Sequence, residues 1–353
     1  MKMIYDVLDD IIENRRDLTY EESYECMNDL ISGDYPDSVI SSFLIALRMK
    51  KENIDEITGL TQSMRDHALN IDYKPDDYLV ESCGTGGDIL KTFNVSTVSS
   101  IVASAAGAKI SKHGNRSVSS SYGGADALED LGVNIELPPK QVINSLERCN
   151  FAFIYAPLYH EATKNVMAIR KQLKTRTIFN LIGPITCPTD ITARMTGIYD
   201  PALVENIAQV SINLGVKRGM IVHGFDQHNN PAMDEISNVG KTKVAFIDHG
   251  KVDVRYVSPQ DFGLDYSRSE DIKSPSTSTE HLEIIYNILN NVTTTKADKA
   301  RMDLCLMNSA AILYVADKVD NLKEGVELSR EVIEKSLAKK QLEKIIKCSK
   351  VNN

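Results

Sequence analysis

Over residues 3–14 the apolar positions are Ile4, Val7, Leu8, Ile11 and Ile12, a three-four spacing that lines them along one side of a helix. Thr19, with Glu22 three residues later, has the form of a capping box opening a second helix. Pro36 precedes a third, in which Val39, Phe43 and Leu47 repeat every four residues, and residues 54–69 give a fourth. The opening of the chain therefore predicts a small helical bundle.

At Tyr78 the texture changes. A short apolar run reads as a strand and enters Gly84-Thr85-Gly86-Gly87-Asp88, followed by a helix of small residues over 96–108. Further strands are expected at 151–155, 195–199 and 219–223, with helices at 161–173 and 202–214. Alternation of this kind predicts an α/β unit with a mainly parallel sheet covered by helices. Residues 266–296 mix Ser, Thr and Asp and read as a surface loop region, after which 300–347 is helical. The lysines near that end read as a solvated helix face.

Composition narrows the function. The chain has 353 residues, 40 basic against 49 acidic, for a net charge of −9, which disfavours a protein that coats nucleic acid or anionic membrane. Six cysteines are scattered without a C-x-x-C pair, so reduced, buried thiols are expected and a zinc ribbon is not. No run is long and apolar enough for a membrane span, and the acids near the start do not suit a secretory signal. A soluble cytoplasmic protein is the expectation. Tryptophan is absent, beside 14 Tyr and 8 Phe.

The glycine-rich turn at 84–88 lies between a strand and a helix start, where main-chain N–H groups and the helix's positive end can approach a phosphate. It matches neither G-x-G-x-x-G nor a Walker loop, and taken alone such a turn is as readily just a turn. Thr92, Asn94, Ser96 and Thr97 then place short polar groups around the helix entry, where they can cap the helix or bind a phosphate and a metal ion together. Lys112-His113-Gly114-Asn115-Arg116 and the serines up to Ser121 form an island of positive charge in an acidic chain, either a second anion cradle or a solvated basic turn. Asp234-Glu235 as a dipeptide carries little signal, since acidic pairs also stand at Asp9-Asp10, Asp55-Glu56, Asp76-Asp77, Glu129-Asp130 and Glu270-Asp271, but its position after an apolar strand favours oxygen ligands for Mg2+. Arg170 flanks the inward stripe Val166, Ile169 and Leu173, placed to meet a carboxylate or to snorkel.

These segments, with residues 180–188 carrying Asn180, Gly183, Pro184 and Pro188, resemble in order and spacing the anthranilate phosphoribosyltransferases, of the nucleoside phosphorylase/phosphoribosyltransferase fold family. The resemblance spans about residues 3–347. It implies a small α-helical domain plus a larger α/β domain: residues 1–72, with a helical return around 163–186, as a dimerising helical domain, and 73–162 with 187–353 as the phosphoribosyl-pyrophosphate-binding domain. The implied activity moves the 5-phosphoribosyl group from phosphoribosyl pyrophosphate to the amine of anthranilate, releasing pyrophosphate, in tryptophan biosynthesis. A pyrimidine nucleoside phosphorylase, a transferase for another aromatic amine and a non-enzymatic nucleic-acid-binding relative are the alternatives. The Lys112–Arg116 loop sides with the anthranilate enzymes.

Residue by residue, the resemblance implies that Gly84, Gly87, Asp88, Thr92, Asn94, Val95, Ser96, Thr97, Gly124 and the loop Lys112, His113, Gly114, Asn115, Arg116, Ser117, Val118, Ser119 and Ser120 bind phosphoribosyl pyrophosphate. Ser96, Asp234 and Glu235 would bind Mg2+, and Gly84, Asn115 and Arg170 would hold anthranilate, with His113 lining the space between the substrates. A homodimer is implied, with no nucleic-acid or membrane partner. No side chain stands out as a strong general base, so catalysis is expected from electrostatics and orientation. Departures from the family pattern include Gly124, often a serine, Cys187 before Pro188 and Glu161 after His160.

Overall fold

The computed structural model describes residues 3–87, 89–116 and 122–350. Four helices come first: α1 (Met3–Asn14), α2 (Tyr20–Ser32), α3 (Asp37–Lys50) and α4 (Ile54–Asp66). The Thr19 hydroxyl accepts the Glu22 N–H at 3.1 Å and the Glu22 carboxylate accepts the Thr19 N–H at 3.0 Å, closing the anticipated capping box. Asn53 and Glu56 repeat the device on α4, both bonds 2.8 Å. Glu56 is fully buried, accepting the Leu18 N–H at 2.8 Å and pairing with Lys50 at 2.9 Å, and so ties α4 to α3 and to the link before α2. Ile4, Val7, Ile11, Phe43 and Leu47 are buried along the predicted stripes.

An eight-stranded sheet follows: β1 (Leu79–Gly84), β2 (Lys109–Gly114), β3 (Phe151–Tyr155), β4 (Ala193–Gly197), β5 (Arg218–Phe225), β6 (Pro231–Met233), β7 (Thr242–Asp248) and β8 (Lys251–Val257). Their order is β3-β2-β1-β4-β5-β7-β8, with β6 against β5. The strands from β3 to β5 are parallel, while β5, β7 and β8 pair antiparallel. The small helical domain and larger, mostly parallel α/β domain are the architecture the sequence suggested. Alternation of side chains sorts the apolar residues onto two faces: Val80, Ile110 and Phe153 join one core, and Leu79, Ala152 and Ile154 join the helical bundle in the other.

The remaining helices are α5 (Val95–Ala105), α6 (Gly124–Asp130), α7 (Pro139–Cys149), α8 (Ala156–Tyr159), α9 (Lys164–Leu173), α10 (Ile178–Ile182), α11 (Val204–Asn213), α12 (Ser278–Leu289), α13 (Lys296–Val315), α14 (Leu322–Glu334) and α15 (Leu337–Ser349). Two expectations need correction. Residues 266–296 are not simply surface loop: α12 lies within them, capped by Thr277 and Glu280 and burying Ile284, Ile285 and Ile288. The stretch from Lys112 is not all loop either, because Lys112 to Gly114 complete β2, an interior strand whose polar residues are buried between β1 and β3. All six cysteines are free and buried, as expected.

Candidate active site

Strand order reverses beside β1: the connections after β1 run toward β2 and β3, and those after β4 toward β5. Such a switch point leaves a crevice at the strands' carboxyl ends. Gly84 and Gly197 are register partners there. Gly197 must lack a side chain, because the backbone of the segment carrying Asp234 crosses above it, whereas a side chain at Gly84 would displace the Asp234 carboxylate. A Cβ on Gly84 would lie 2.2 Å from Asp234 Oδ2, and one on Gly197 would lie 1.5 Å from the Asp234 carbonyl oxygen. The Gly86 N–H donates to Asp234 Oδ2 at 2.7 Å, lacing the glycine turn to the acidic pair.

Gly86 and Gly87 take φ of +70° and +81°, the left-handed region glycine favours. Arg176, which the sequence reading did not single out, donates from Nη2 to the Gly87 carbonyl at 2.9 Å and stacks 4.1 Å from the Tyr199 ring centre. Nothing in the local pattern marks it, since its contacts lie far along the chain. Asp88, Ser117, Val118, Ser119 and Ser120 lie outside the described residues.

Thr92 precedes α5, and Val95, Ser96 and Thr97 form its first turn, with Asn94 at the cap position making no capping bond. Asn94 Nδ2 and Thr97 Oγ1 are buried without a hydrogen-bond partner among the described residues. Buried polar atoms left this way suit a ligand. Lys112, 3% exposed, donates Nζ to the Ser82 carbonyl at 2.9 Å and to Ser96 Oγ at 3.1 Å. Burial lowers its pKa, and Cys83, Glu235 and Glu81 favour its charge. A side chain at Gly124 would stand 3.3 Å from Thr97 Oγ1, so that glycine borders the same corner.

Gly114 is packed against Phe153, where a Cβ would meet the ring at 2.9 Å. Asn115 is exposed and accepts the Arg116 N–H at 2.7 Å. The Arg116 guanidinium engages Glu129 at 2.6 and 3.0 Å and Asp126 at 3.2 Å, so its charge is directed onto α6 in addition to bordering the cleft.

A cleft of about 360 Å3 runs from the glycine turn and Ser96 past His113 and Asn115 to Met64 of α4, Met167 and Arg170 of α9 and Phe179 of α10. Arg170 lies 5.1 Å from the Phe179 ring centre and 3.2 Å from Met167 Sδ, and no ion pair involves it among the described residues. Its pKa is lowered by burial. Such a cation beside an aromatic ring suits a bidentate carboxylate on a planar ligand. His113 and His160 meet edge to face at 5.2 Å, 4% and 3% exposed. Burial pushes His113 well below its ordinary value and His160 down to about 4, so both are neutral near pH 7.

Asp234 and Glu235 are 7% and 9% exposed. No group of three or more His, Cys, Asp or Glu that could hold a metal occurs among the described residues. Ser96, Asp234 and Glu235 supply oxygen donors, the kind taken by Mg2+, a hard ion commonly held by one or two carboxylates, substrate phosphates and water.

The chain matches the Glycosyl transferase family, helical bundle domain, over residues 5–68 and the Glycosyl transferase family, a/b domain, over 76–339. It is 71% identical over 347 residues to the anthranilate phosphoribosyltransferase of Methanosphaera stadtmanae, covering 98% of this chain and 99% of that one. The Methanothermobacter marburgensis enzyme of the same name is 42% identical, covering 96% of each. Among solved structures, anthranilate phosphoribosyltransferase from Thermus thermophilus superposes with a TM-score of 0.87 at 30% identity, covering 99% of this chain and 100% of that one. The Saccharomyces cerevisiae enzyme in complex with PRPP and Mg gives 0.87 at 27%, covering 98% and 97%. With the switch-point cleft, the glycine turn, the acidic pair and the cleft arginine in the same chain, these matches place the protein in the anthranilate phosphoribosyltransferase family.

Proposed function

We propose that the protein transfers the 5-phosphoribosyl group from phosphoribosyl pyrophosphate to the amine of anthranilate, giving N-(5-phosphoribosyl)anthranilate and pyrophosphate, as a cytoplasmic enzyme of tryptophan biosynthesis. The observation that carries this reading is a single cleft joining a phosphate corner to an arginine with no ion-pair partner among the described residues: Ser96 and Lys112 at one end and Arg170 with Phe179 at the other. The same-named relatives at high identity support it.

In this reading Gly84, Gly87, Asp88, Thr92, Asn94, Val95, Ser96, Thr97, Gly124 and residues 112–120 take the phosphoribosyl pyrophosphate. Main-chain N–H groups of the glycine turn and the Asn94 and Thr97 side chains donate to its oxygens, and Lys112 supplies a buried positive charge. Ser96, Asp234 and Glu235 hold Mg2+, which when bound neutralises charge on the leaving pyrophosphate. Arg170 and Asn115 fix the anthranilate carboxylate and ring so that the amine faces C1 of the ribose. Departure of pyrophosphate leaves an oxocarbenium-like centre, so orientation and a prearranged electrostatic field supply the acceleration. Mass spectrometry of the product and equimolar pyrophosphate release test this; phosphorolysis of a pyrimidine nucleoside in place of transfer would select the phosphorylase reading.

Residues 1–72 and the return at 163–186 form the helical domain in this reading, with the rest as the phosphoribosyl domain. Exposed Tyr5 and Ile12 on α1 and Met49 on α3 support a homodimer through the helical domain. No helix among the described residues is long and apolar enough to cross a membrane.

A further inference from the structure

Beneath the cleft, on the helical side of the sheet, Glu81 of β1 and Arg194 of β4 occupy paired register positions and form an ion pair of 2.9 Å with side-chain exposures of 0% and 1%. A pair buried this deeply is weak evidence for stability, because loss of hydration offsets the attraction. A role at the adjoining cleft accounts for it better. His113 of β2 brings Nδ1 to 3.9 Å from Glu81 Oε1, beyond hydrogen-bond length but with that nitrogen on the carboxylate's side. The ring lines the cleft, and Nε2 is buried without a hydrogen-bond partner among the described residues.

We propose that His113 accepts the proton the aryl amine sheds after its nitrogen has bonded to C1, and that Glu81, fixed by Arg194, is the positioning residue behind the imidazole. The inference rests on the phosphoribosyl-transfer reading above. The nitrogen lone pair forms the N–C1 bond while the C1–O bond electrons leave with pyrophosphate. The nitrogen, now positively charged, gives one proton to His113 Nε2, and the N–H electron pair stays on nitrogen. The imidazolium is stabilised by the Glu81 carboxylate and returns its proton to water as product leaves. An arylammonium is far more acidic than an alkylammonium, so a weakly basic buried imidazole suffices. Burial, followed by His160 and, more weakly, the Arg194 cation, keeps His113 neutral beforehand, and the Gly183 carbonyl partly opposes them. A carboxylate also stands behind a catalytic histidine in hydrolases, where it accepts a hydrogen bond from the ring; here the two are 3.9 Å apart and the effect of Glu81 is electrostatic.

The charged and titratable groups facing Glu81 are Arg194 from β4, Arg65 from α4, Lys112 and His113 from β2, the Cys83 thiol on its own strand and the Cys187 thiol before β4. Burial raises the Glu81 carboxyl to about 7 against the opposing pull of Arg194, Arg65 and Lys112, so its full charge is present above that pH. His160 faces His113 from the far side. Removing the Glu81 charge disfavours the imidazolium, so the acid limb of the kcat profile moves to lower pH while the plateau falls.

The test is steady-state kinetics of the full-length protein with both substrates and Mg2+, across pH and in heavy water. Glu81→Gln and His113→Asn are expected to lower kcat about 100-fold, with KM for phosphoribosyl pyrophosphate within about twofold and a solvent isotope effect on kcat larger than that of the unaltered protein. Glu81→Asp recovers part of the rate. Because Glu81→Gln strands the arginine, the double variant Glu81→Gln with Arg194→Met removes both charges and keeps the packing; it is expected to stay slow. A fast double variant, or an unchanged kcat in folded His113→Asn, overturns the proposal and leaves the substrate's own carboxylate as proton acceptor. An unaltered protein inert toward anthranilate overturns the function itself, which is a separate outcome.

Discussion

Asp234 Oδ2 lies 2.2 Å from where a Cβ on Gly84 would stand, so the glycine turn and the acidic pair cannot be altered independently. A methyl group at Gly84 leaves the backbone conformation allowed and pushes the carboxylate aside. Gly84→Ala is therefore expected to fold, while its apparent affinity for Mg2+ in the transfer reaction falls about tenfold or more. Activity titrated against Mg2+ checks this, and an unchanged titration means Asp234 is not held where the structure puts it.

Arg170 has an aromatic ring and a thioether beside it and faces a cleft whose lining holds no carboxylate among the described residues. Losing a charge-assisted bond to a substrate carboxylate raises the KM for anthranilate about 10- to 100-fold in Arg170→Ala, leaving that for phosphoribosyl pyrophosphate nearly unchanged. Arg170→Lys recovers little, because a point charge cannot reproduce the planar two-pronged contact. Initial rates with each substrate varied in turn check the split.

His160 supplies a pH dependence of stability. Its folded pKa falls from 6.5 to about 4, foremost through burial, so folding favours the neutral ring. A lowered pKa means the contribution is complete above pH 6.5 and is lost as pH falls toward 4; the full span corresponds to about 3 kcal/mol. His113, His223 and His281 are lowered as well and act in the same direction. Denaturant midpoints are expected to decline between pH 7 and pH 4.5, and the decline should flatten in His160→Asn.

The Thr19 cap lies away from the cleft and offers a control. Thr19→Ala removes the hydroxyl that accepts the Glu22 N–H, which lowers stability by about 1 kcal/mol with kcat unchanged. Urea unfolding beside a turnover assay separates the two effects.

The front helices were legible because their signals are local: the Thr19–Glu22 box lies within one turn and the spacing of Ile4, Val7 and Ile11 within about two. The glycine turn was legible for the same reason. β2 was hidden because Lys109, Ser111, Lys112 and His113 look like loop residues until strands on either side bury them. Lys112 accordingly changes character, from a cation on an open turn to a buried one bonded to Ser82 and Ser96. The Arg176 bond to Gly87 and the Glu81–Arg194 pair join residues 89 and 113 apart, which no local pattern carries. The exposed β8 and its pairing with β7 were likewise not anticipated, since short alternating runs carry little signal without a partner.

The most direct measurement follows the fluorescence of anthranilate in a mixture with the purified protein, whose lack of tryptophan leaves that signal unobscured. Anthranilate should disappear when phosphoribosyl pyrophosphate and Mg2+ are both present, and persist when either is left out. Persistence in the complete mixture, with protein shown to be folded, would contradict the assignment.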